Sequence, residues 1–138
     1  MRIMAIDYGD VRTGVAVSDE SASLAGEAWV IREKNQAAAA QAIAAEAVAR
    51  GVGILVVGYP RNMNGTVGPR AQKSEQLAEH LRGLCDIDVV LWDERMTTMS
   101  AHRILSDTGR RGKKRKNTID AVAASLILEG YLQSLNSH

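Results

Sequence analysis

The chain has 138 residues, of which 46% are hydrophobic and 24% are charged; this length and balance fit one globular domain spanning residues 1–138 and exclude a disordered chain. The single cysteine, Cys85, excludes an intramolecular disulfide, and no apolar run approaches the ~20 residues of a membrane-spanning helix or forms a signal-peptide core. We therefore expect a cytoplasmic protein. The net charge of +1 indicates no partner, but six of the seventeen basic residues lie in one segment, RRGKKRK (110–116).

The first half of the chain predicts three antiparallel strands followed by a helix. Strands are expected at 2–8 and 14–18, joined by a polar turn, and at about 26–32. The alanine-rich segment 36–50 predicts a helix that ends before Gly51. Because alanine side chains are small, this helix is expected to pack closely on a sheet.

The second half of the chain predicts two buried strands that alternate with helices. These elements are strands at 53–58 and 88–92 and helices at about 69–83 and 98–108. A last helix is expected to be capped by Asn117 or Thr118. The order βββαβαβαα predicts an α/β protein with a mixed five-stranded sheet and helices on both faces.

Four carboxylates lie where such a sheet would form a site. Asp7 ends the first strand, while Asp93 and Glu94 follow the last strand. Asp120 opens the last helix, beside its apolar stripe. Sites in α/β proteins form beyond the carboxyl ends of strands, and carboxylates brought together repel one another unless a cation lies among them. The pattern is typical of a Mg²⁺ site and of phosphodiester hydrolysis assisted by two ions.

Each carboxylate also has a purely structural interpretation. Asp120, in a first helical turn, would be stabilised by the helix dipole. Asp93 or Glu94 could pair with Arg95 or cap the following helix. Asp7 is the hardest to explain in this way, because its neighbours on the strand are apolar.

Four motifs, in this order, resemble those of the YqgF/RuvX family. They are AIDYGDVRTGVAVSD, VVGYPRNMNGTVGPRA, DERMTTMSA and IDAVAASLILEGYL, and the resemblance runs from about residue 2 to 132. Members of this family are described as nucleases for the 5′ end of precursor 16S rRNA and as RuvC-like Holliday junction resolvases. The resemblance therefore implies an RNase H-like fold and nuclease activity.

The resemblance also implies an acidic active site that uses Mg²⁺ or Mn²⁺. By position, Asp7, Glu94 and Asp120 are the implied catalytic and metal-binding residues. Asp93 stays a candidate metal ligand beside Glu94, since sequence does not decide between the two. Many RNase H-like nucleases carry an acid at the end of the fourth strand, whereas this strand ends in GYP (58–60).

Several basic and amide side chains are candidates for binding the phosphates of a nucleic acid. In the loop 61–70, which opens a helix whose N–H groups could face a phosphate, they are Arg61, Asn62, Asn64 and Arg70, although the asparagines fit a polar turn equally well. The resemblance favours Arg12 and Arg95 as site residues. In the basic segment the candidates are Arg110, Arg111, Lys113, Lys114, Arg115 and Lys116.

The sequence as a whole indicates a metal-dependent nuclease, a hydrolase of ester bonds, acting on precursor 16S rRNA, with assembling ribosomal particles as a further partner. The alternative within the same chemistry is a nuclease for four-way DNA junctions, which would require a homodimer rather than a monomer. Another alternative is a nucleotide-binding module, because the first hairpin also resembles the phosphate-binding hairpin of actin-like ATPases. Those proteins clamp ATP between two domains, and this chain has room for one. A non-catalytic ribosome-assembly or nucleic-acid-binding factor is the remaining alternative.

Overall fold

The computed structural model describes residues 1–62, 64–94 and 112–136, and at residues 112–118 and 136 it describes the backbone alone. Its elements are β1 (Arg2–Asp7), β2 (Arg12–Ser18), β3 (Ala25–Arg32), α1 (Gln36–Ala49), β4 (Val52–Tyr59), α2 (Pro69–Leu84), β5 (Asp88–Asp93) and α3 (Gly112–Asn136). The helix predicted at 98–108 lies outside the described residues.

The five strands form one mixed sheet in the order β3-β2-β1-β4-β5. The first three strands are an antiparallel meander, while β4 runs parallel to β1 and to β5. Parallel neighbours need a crossover connection, and α1 and α2 supply it before and after β4. The predicted mixed five-stranded sheet is confirmed, and β1 lies at its centre between β2 and β4.

Helices cover both faces of the sheet, as predicted. On one face α1 and α2 bury Ile43, Leu77 and Leu81 against Met4 and Ile6 of the central strand. Each such side chain removed from water contributes roughly 1.5–3 kcal/mol. The other face is covered by α3, whose buried side chains are Ala124, Ile127, Leu128 and Leu132. These two layers anchor the strand ends at which a site can form.

The last helix differs from its predicted start. It begins at Gly112, so Asn117 and Thr118 lie inside the helix and do not cap it. Residues 112–116 of the basic segment are helical, which fits the good helix propensity of lysine and arginine. Asp120 is therefore eight residues beyond the first helical residue, and the interpretation that it is stabilised by the helix dipole is wrong, since that effect fades within the first turn. No helix in the described ranges is both long and apolar enough to cross a membrane.

Candidate active site

Asp7 ends the central strand between two glycines. Its cross-strand neighbour on β2 is Gly14. On the other side Ile6 pairs with Val57, so Gly58 is the β4 residue level with Asp7. Because side chains alternate along a strand, all three positions face the side of the sheet that α3 covers. The carboxylate is thus flanked by two positions that carry no side chain, so other elements can approach the sheet there.

Gly14 allows the backbone of α3 to lie directly on β2. A Cβ atom added at Gly14 would lie 2.0 Å from the carbonyl oxygen of Asp120 and 3.4 Å from the backbone nitrogen of Ala121. Any side chain at position 14 would therefore push the helix outward, since protein interiors are close-packed. The glycine fixes the backbone of Asp120 above the strand next to Asp7.

Gly58 makes the corresponding space for Glu94. A Cβ atom added at Gly58 would lie 3.3 Å from Cδ of Glu94 and 2.6 Å from Cδ1 of Ile127. Glu94 follows β5, which is separated from β1 by β4. Its side chain therefore reaches over β4 toward Asp7, and it can do so because β4 has no side chain there.

The two neighbouring acids at the end of β5 occupy different surroundings. Asp93 is level with Tyr59, and its Oδ2 lies 3.9 Å from an Nη atom of Arg61. Glu94 instead is among the charges that act on Asp7. This division follows from the alternation of side chains at a strand end. The structure brings Glu94 close to Asp7 and Asp93 close to Arg61.

The carboxylates shift one another's protonation. The pKa of Asp7 is raised from 3.8 to about 7, first by burial and then by the charge of Glu94; Arg70 opposes this shift and Asp120 adds to it. Burial also raises the pKa of Glu94, which Arg70 lowers and Asp93 raises. A positive charge placed among these groups would favour their ionised forms.

Asp120 is held by an arginine from the start of β2. The Nε of Arg12 donates to Oδ2 of Asp120 over 3.0 Å, and the two side chains are 30% and 23% exposed. Within residues 1–62, 64–94 and 112–136, no three His, Cys, Asp or Glu side chains are close enough to hold a metal ion. The ion pair is one reason for this separation of the carboxylates, because it directs the Asp120 carboxylate to the guanidinium of Arg12.

In the loop before α2, the polar side chains bind the loop itself. Arg61 donates from Nε and Nη2 to the carbonyl of Gly65. The amide of Asn62 donates to Oγ1 of Thr66, and Oδ1 of Asn64 accepts from the backbone N–H of Thr66. These contacts favour the polar-turn interpretation of the two asparagines over direct phosphate binding.

Arg70 is the loop candidate that remains available to a ligand. It lies in the first turn of α2, its side chain is exposed, and among the described residues it makes no ion pair. Three other candidates, Arg95, Arg110 and Arg111, lie outside the described residues. The backbone of residues 113–116, which includes Lys113, Lys114, Arg115 and Lys116, is part of α3 and leads into Asp120.

Sequence reasoning overlooked the two glycines that shape the site. Gly14 stands at the head of the apolar run GVAV, and Gly58 closes GILVVG. A glycine inside a strand often marks the close approach of another backbone or a ligand, and that signal was present at both positions. It also overlooked Lys73 and Asp10, whose Nζ and Oδ1 atoms form an ion pair of 2.7 Å; Asp10 belongs to the turn that follows Asp7.

Sequence comparisons place the chain among known nucleases. The profile of the RuvX family, described as Holliday junction resolvase, matches residues 1–134. A relative from Ruminiclostridium cellulolyticum is 40% identical over 136 residues, which cover 98% of this chain and 96% of the relative. Another, from Bacillus thuringiensis (strain Al Hakam), is 44% identical and covers 97% and 99%. Both carry the name "Putative pre-16S rRNA nuclease".

Two solved structures share the fold. RuvC of Thermus thermophilus in complex with a Holliday junction superposes with a TM-score of 0.54 at 15% identity, over 97% of this chain and 96% of that one. The fowlpox virus resolvase in complex with Holliday junction DNA gives 0.59 at 13% identity, over 98% and 99%. The predicted RNase H-like fold is confirmed, and so is the predicted enzyme class, a hydrolase of nucleic-acid ester bonds. The chain belongs to the RuvX family of nucleases.

Proposed function

We propose that this chain is a divalent-metal-dependent nuclease that processes the 5′ end of precursor 16S rRNA in the cytoplasm. The substrate is suggested by the names of the relatives at 40% and 44% identity. The observation that carries the proposal is that the Glu94 side chain and the backbone of Asp120 lie next to the end of β1 at Asp7, in the space left by glycines on the two neighbouring strands.

The chemistry of these side chains fits a hard divalent cation. Mg²⁺ and Mn²⁺ prefer oxygen ligands, and Asp7 and Glu94 are partly buried carboxylates whose pKa values are raised mainly by burial, although Arg70 opposes the shift. We assign Asp7, Glu94 and Asp120 as the residues that would hold the ions. Bound ions would activate a water molecule and stabilise the leaving oxygen of the phosphodiester.

Arg12 has two partners in this proposal. In the absence of substrate it binds Asp120. A guanidinium binds a phosphate through two parallel hydrogen bonds, so a substrate phosphate competes with Asp120 for Arg12. Once released, the Asp120 side chain can turn toward Asp7, because its backbone is already fixed above Gly14. Substrate binding thus completes the set of carboxylates. Arg70, whose charge acts on both Asp7 and Glu94, orients a phosphate near them.

Arg12→Ala is therefore expected to have opposite effects on metal and on RNA. In protein without RNA, Mn²⁺ should bind about fivefold more tightly, because a partly exposed ion pair of roughly 1 kcal/mol no longer holds Asp120. RNA should bind about tenfold more weakly, since one phosphate contact is lost. Titration calorimetry with Mn²⁺ and fluorescence anisotropy with labelled RNA measure the two effects. Arg2→Gln, which removes a positive charge at the other end of β1, is the control; weaker Mn²⁺ binding in Arg12→Ala would contradict the exchange.

Cleavage of end-labelled RNA spanning the 16S 5′ boundary tests the function itself. We expect cuts with Mn²⁺ or Mg²⁺, none with EDTA, and none by Asp7→Asn. Precursor ribosomal particles are tested beside naked RNA, because the assembling particle is a proposed partner. Equal behaviour of the parent and Asp7→Asn on both substrates would overturn the nuclease assignment of this site.

Cleavage of four-way DNA junctions is the second candidate function, favoured by the description of the family profile that matches residues 1–134. Resolution of a junction requires two cuts on two strands, and therefore two copies of the single acidic site. Light scattering after size exclusion would show a homodimer if this function holds. A monomer that cuts RNA and leaves junctions intact would favour RNA processing.

A further inference from the structure

A small cavity adjoins the acidic site on the side of α2. Its volume is about 200 Å³, and it is lined by Tyr8, Gly9, Asp10, Arg70 and Lys73. A water molecule takes up about 30 Å³ of liquid, so the cavity can hold a phosphate group together with a few waters. Three of the lining residues directly follow Asp7, and the cavity therefore belongs to the same turn as the proposed metal ligand.

An exposed ion pair lies on the lining of the cavity. Nζ of Lys73 lies 2.7 Å from Oδ1 of Asp10, and the two side chains are 46% and 70% exposed. Arg70, on the same lining, makes no ion pair within the described part of the chain. Two cationic side chains and one carboxylate thus line the cavity, and the charge of Arg70 also acts on the neighbouring Asp7 and Glu94.

We propose that Lys73 and Arg70 bind a second backbone phosphate, that of a nucleotide next to the cleaved one. Asp10 forms an ion pair with Lys73 until the nucleic acid binds. The proposal rests on the nuclease function argued above. This subsite of the protein sets which part of the bound nucleic-acid strand lies over Asp7. The ligand is a phosphodiester, and its chemical class follows from the two cations and from the adjacent acidic site.

The exchange of Asp10 for a phosphate is energetically easy. Exposed ion pairs are worth 0–1 kcal/mol, because water solvates both partners well once they separate. Asp10 is the more exposed partner, so it returns to solvent at little cost. A phosphate that also contacts Arg70 gains charge-assisted hydrogen bonds from two residues instead of one.

The position of the cavity matches a neighbouring nucleotide. Three residues of extended chain span at most about 11 Å, which limits the distance between the backbones of Asp7 and Asp10. At a rise of about 3.4 Å per nucleotide in a helical strand, this upper limit places the second phosphate no more than about three nucleotides from the cleaved one, a range that includes the next nucleotide. Gly9 lies between them, and a side chain there would collide with the backbone of the turn, because a Cβ atom would lie 2.3 Å from the carbonyl oxygen of Arg12.

Binding of a labelled single-stranded RNA in EDTA, with no cleavage, tests the subsite. Lys73→Gln should weaken binding about tenfold and reduce the salt dependence of the affinity by about one phosphate contact. Arg2→Gln removes the same charge far from the cavity and should change the affinity less than twofold. Asp10→Asn should tighten binding, and this gain should disappear in the Lys73→Gln background if Asp10 acts through Lys73.

The outcomes separate the subsite from the nuclease function. If Lys73→Gln binds RNA like the parent while the parent cleaves it with Mn²⁺, the subsite is wrong and the function stands. If Lys73→Gln weakens binding but the parent cleaves no RNA, the phosphate site holds and the proposed function fails. If Asp10→Asn tightens binding equally with and without Lys73, Asp10 acts by simple repulsion and the exchange is wrong.

Discussion

Asp7→Asn is expected to abolish metal-dependent cleavage and, at the same time, to stabilise the metal-free protein. Loss of a carboxylate that holds the ions should lower the rate by at least about 1,000-fold, equivalent to ~4 kcal/mol of transition-state stabilisation. The same carboxylate is costly for folding when no cation is present, because it is largely buried beside two other acids. Asparagine keeps its shape and removes its charge.

The sign of the pH dependence follows from the pKa of Asp7. In the unfolded chain this carboxyl titrates near 3.8, and in the folded protein near 7. The folded state therefore binds the proton more tightly, and the free energy of unfolding falls as pH rises from about 4 to about 7. At pH 8 in EDTA, Asp7→Asn should be more stable than the parent by on the order of 3 kcal/mol, or about 10 °C in Tm. At pH 4 the difference should be small.

Thermal unfolding at both pH values, with EDTA or Mn²⁺, measures these effects. Mn²⁺ should raise the Tm of the parent, since a ligand of the folded state stabilises it, and should leave Asp7→Asn unchanged. Asp88→Asn, at the exposed start of β5, is the matched control and should show neither effect. An Asp7→Asn protein that still gains stability from Mn²⁺ would place the ions elsewhere.

Gly14→Ala is expected to have the second largest effect, through the position of α3. The added Cβ would lie 2.0 Å from the carbonyl oxygen of Asp120, so the helix has to move. Overpacking of this kind costs about 1–3 kcal/mol or more, and displacement of a site residue by about 1 Å can lower the rate about 100-fold. Urea unfolding and cleavage rates with Mn²⁺ measure the two losses.

Substitutions at two other glycines serve as comparisons for Gly14→Ala. Gly58→Ala meets the side chains of Glu94 and Ile127 rather than a backbone, so we expect a smaller loss of stability and a clear loss of activity. Gly83→Ala, near the end of α2, adds a Cβ with no atom within 4 Å. It should stabilise the protein by up to about 1 kcal/mol, because alanine is favoured over glycine in a helix. If Gly14→Ala behaves like Gly83→Ala, the close approach of α3 does not position Asp120.

The sequence predicted the strands, α1 and α2 to within two residues, because the strands and α1 coincide with apolar or alanine-rich runs and α2 lies between the signals Pro69 and Gly83. It misplaced the start of α3, since a cap signal at Asn117 or Thr118 was weighed more heavily than the helix propensity of the basic residues before it. Asp7, Asp93 and Glu94 could be named from sequence because they stand at strand ends, whereas Asp120, which was expected to open the last helix, lies inside α3.

The arrangement of the carboxylates relative to one another could not be predicted from the sequence in the same way. Whether Glu94 reaches Asp7 depends on the strand order, which places β4 between β1 and β5, and on the absence of a side chain at Gly58. The partners of Arg12 and Lys73 depend on contacts over 108 and 63 residues of sequence separation. Local patterns carry no information about contacts at such distances.

The long separation between Arg12 and Asp120 has a consequence for the synthesis of the protein. The proposed site takes one carboxylate from β1 and another from α3, 113 residues later in the sequence. A ribosome that translates this chain must therefore extend it into α3 before the proposed set of carboxylates can assemble. A nascent chain that stops before α3 lacks the set, so RNA close to the translating ribosome meets no complete site until α3 has been made.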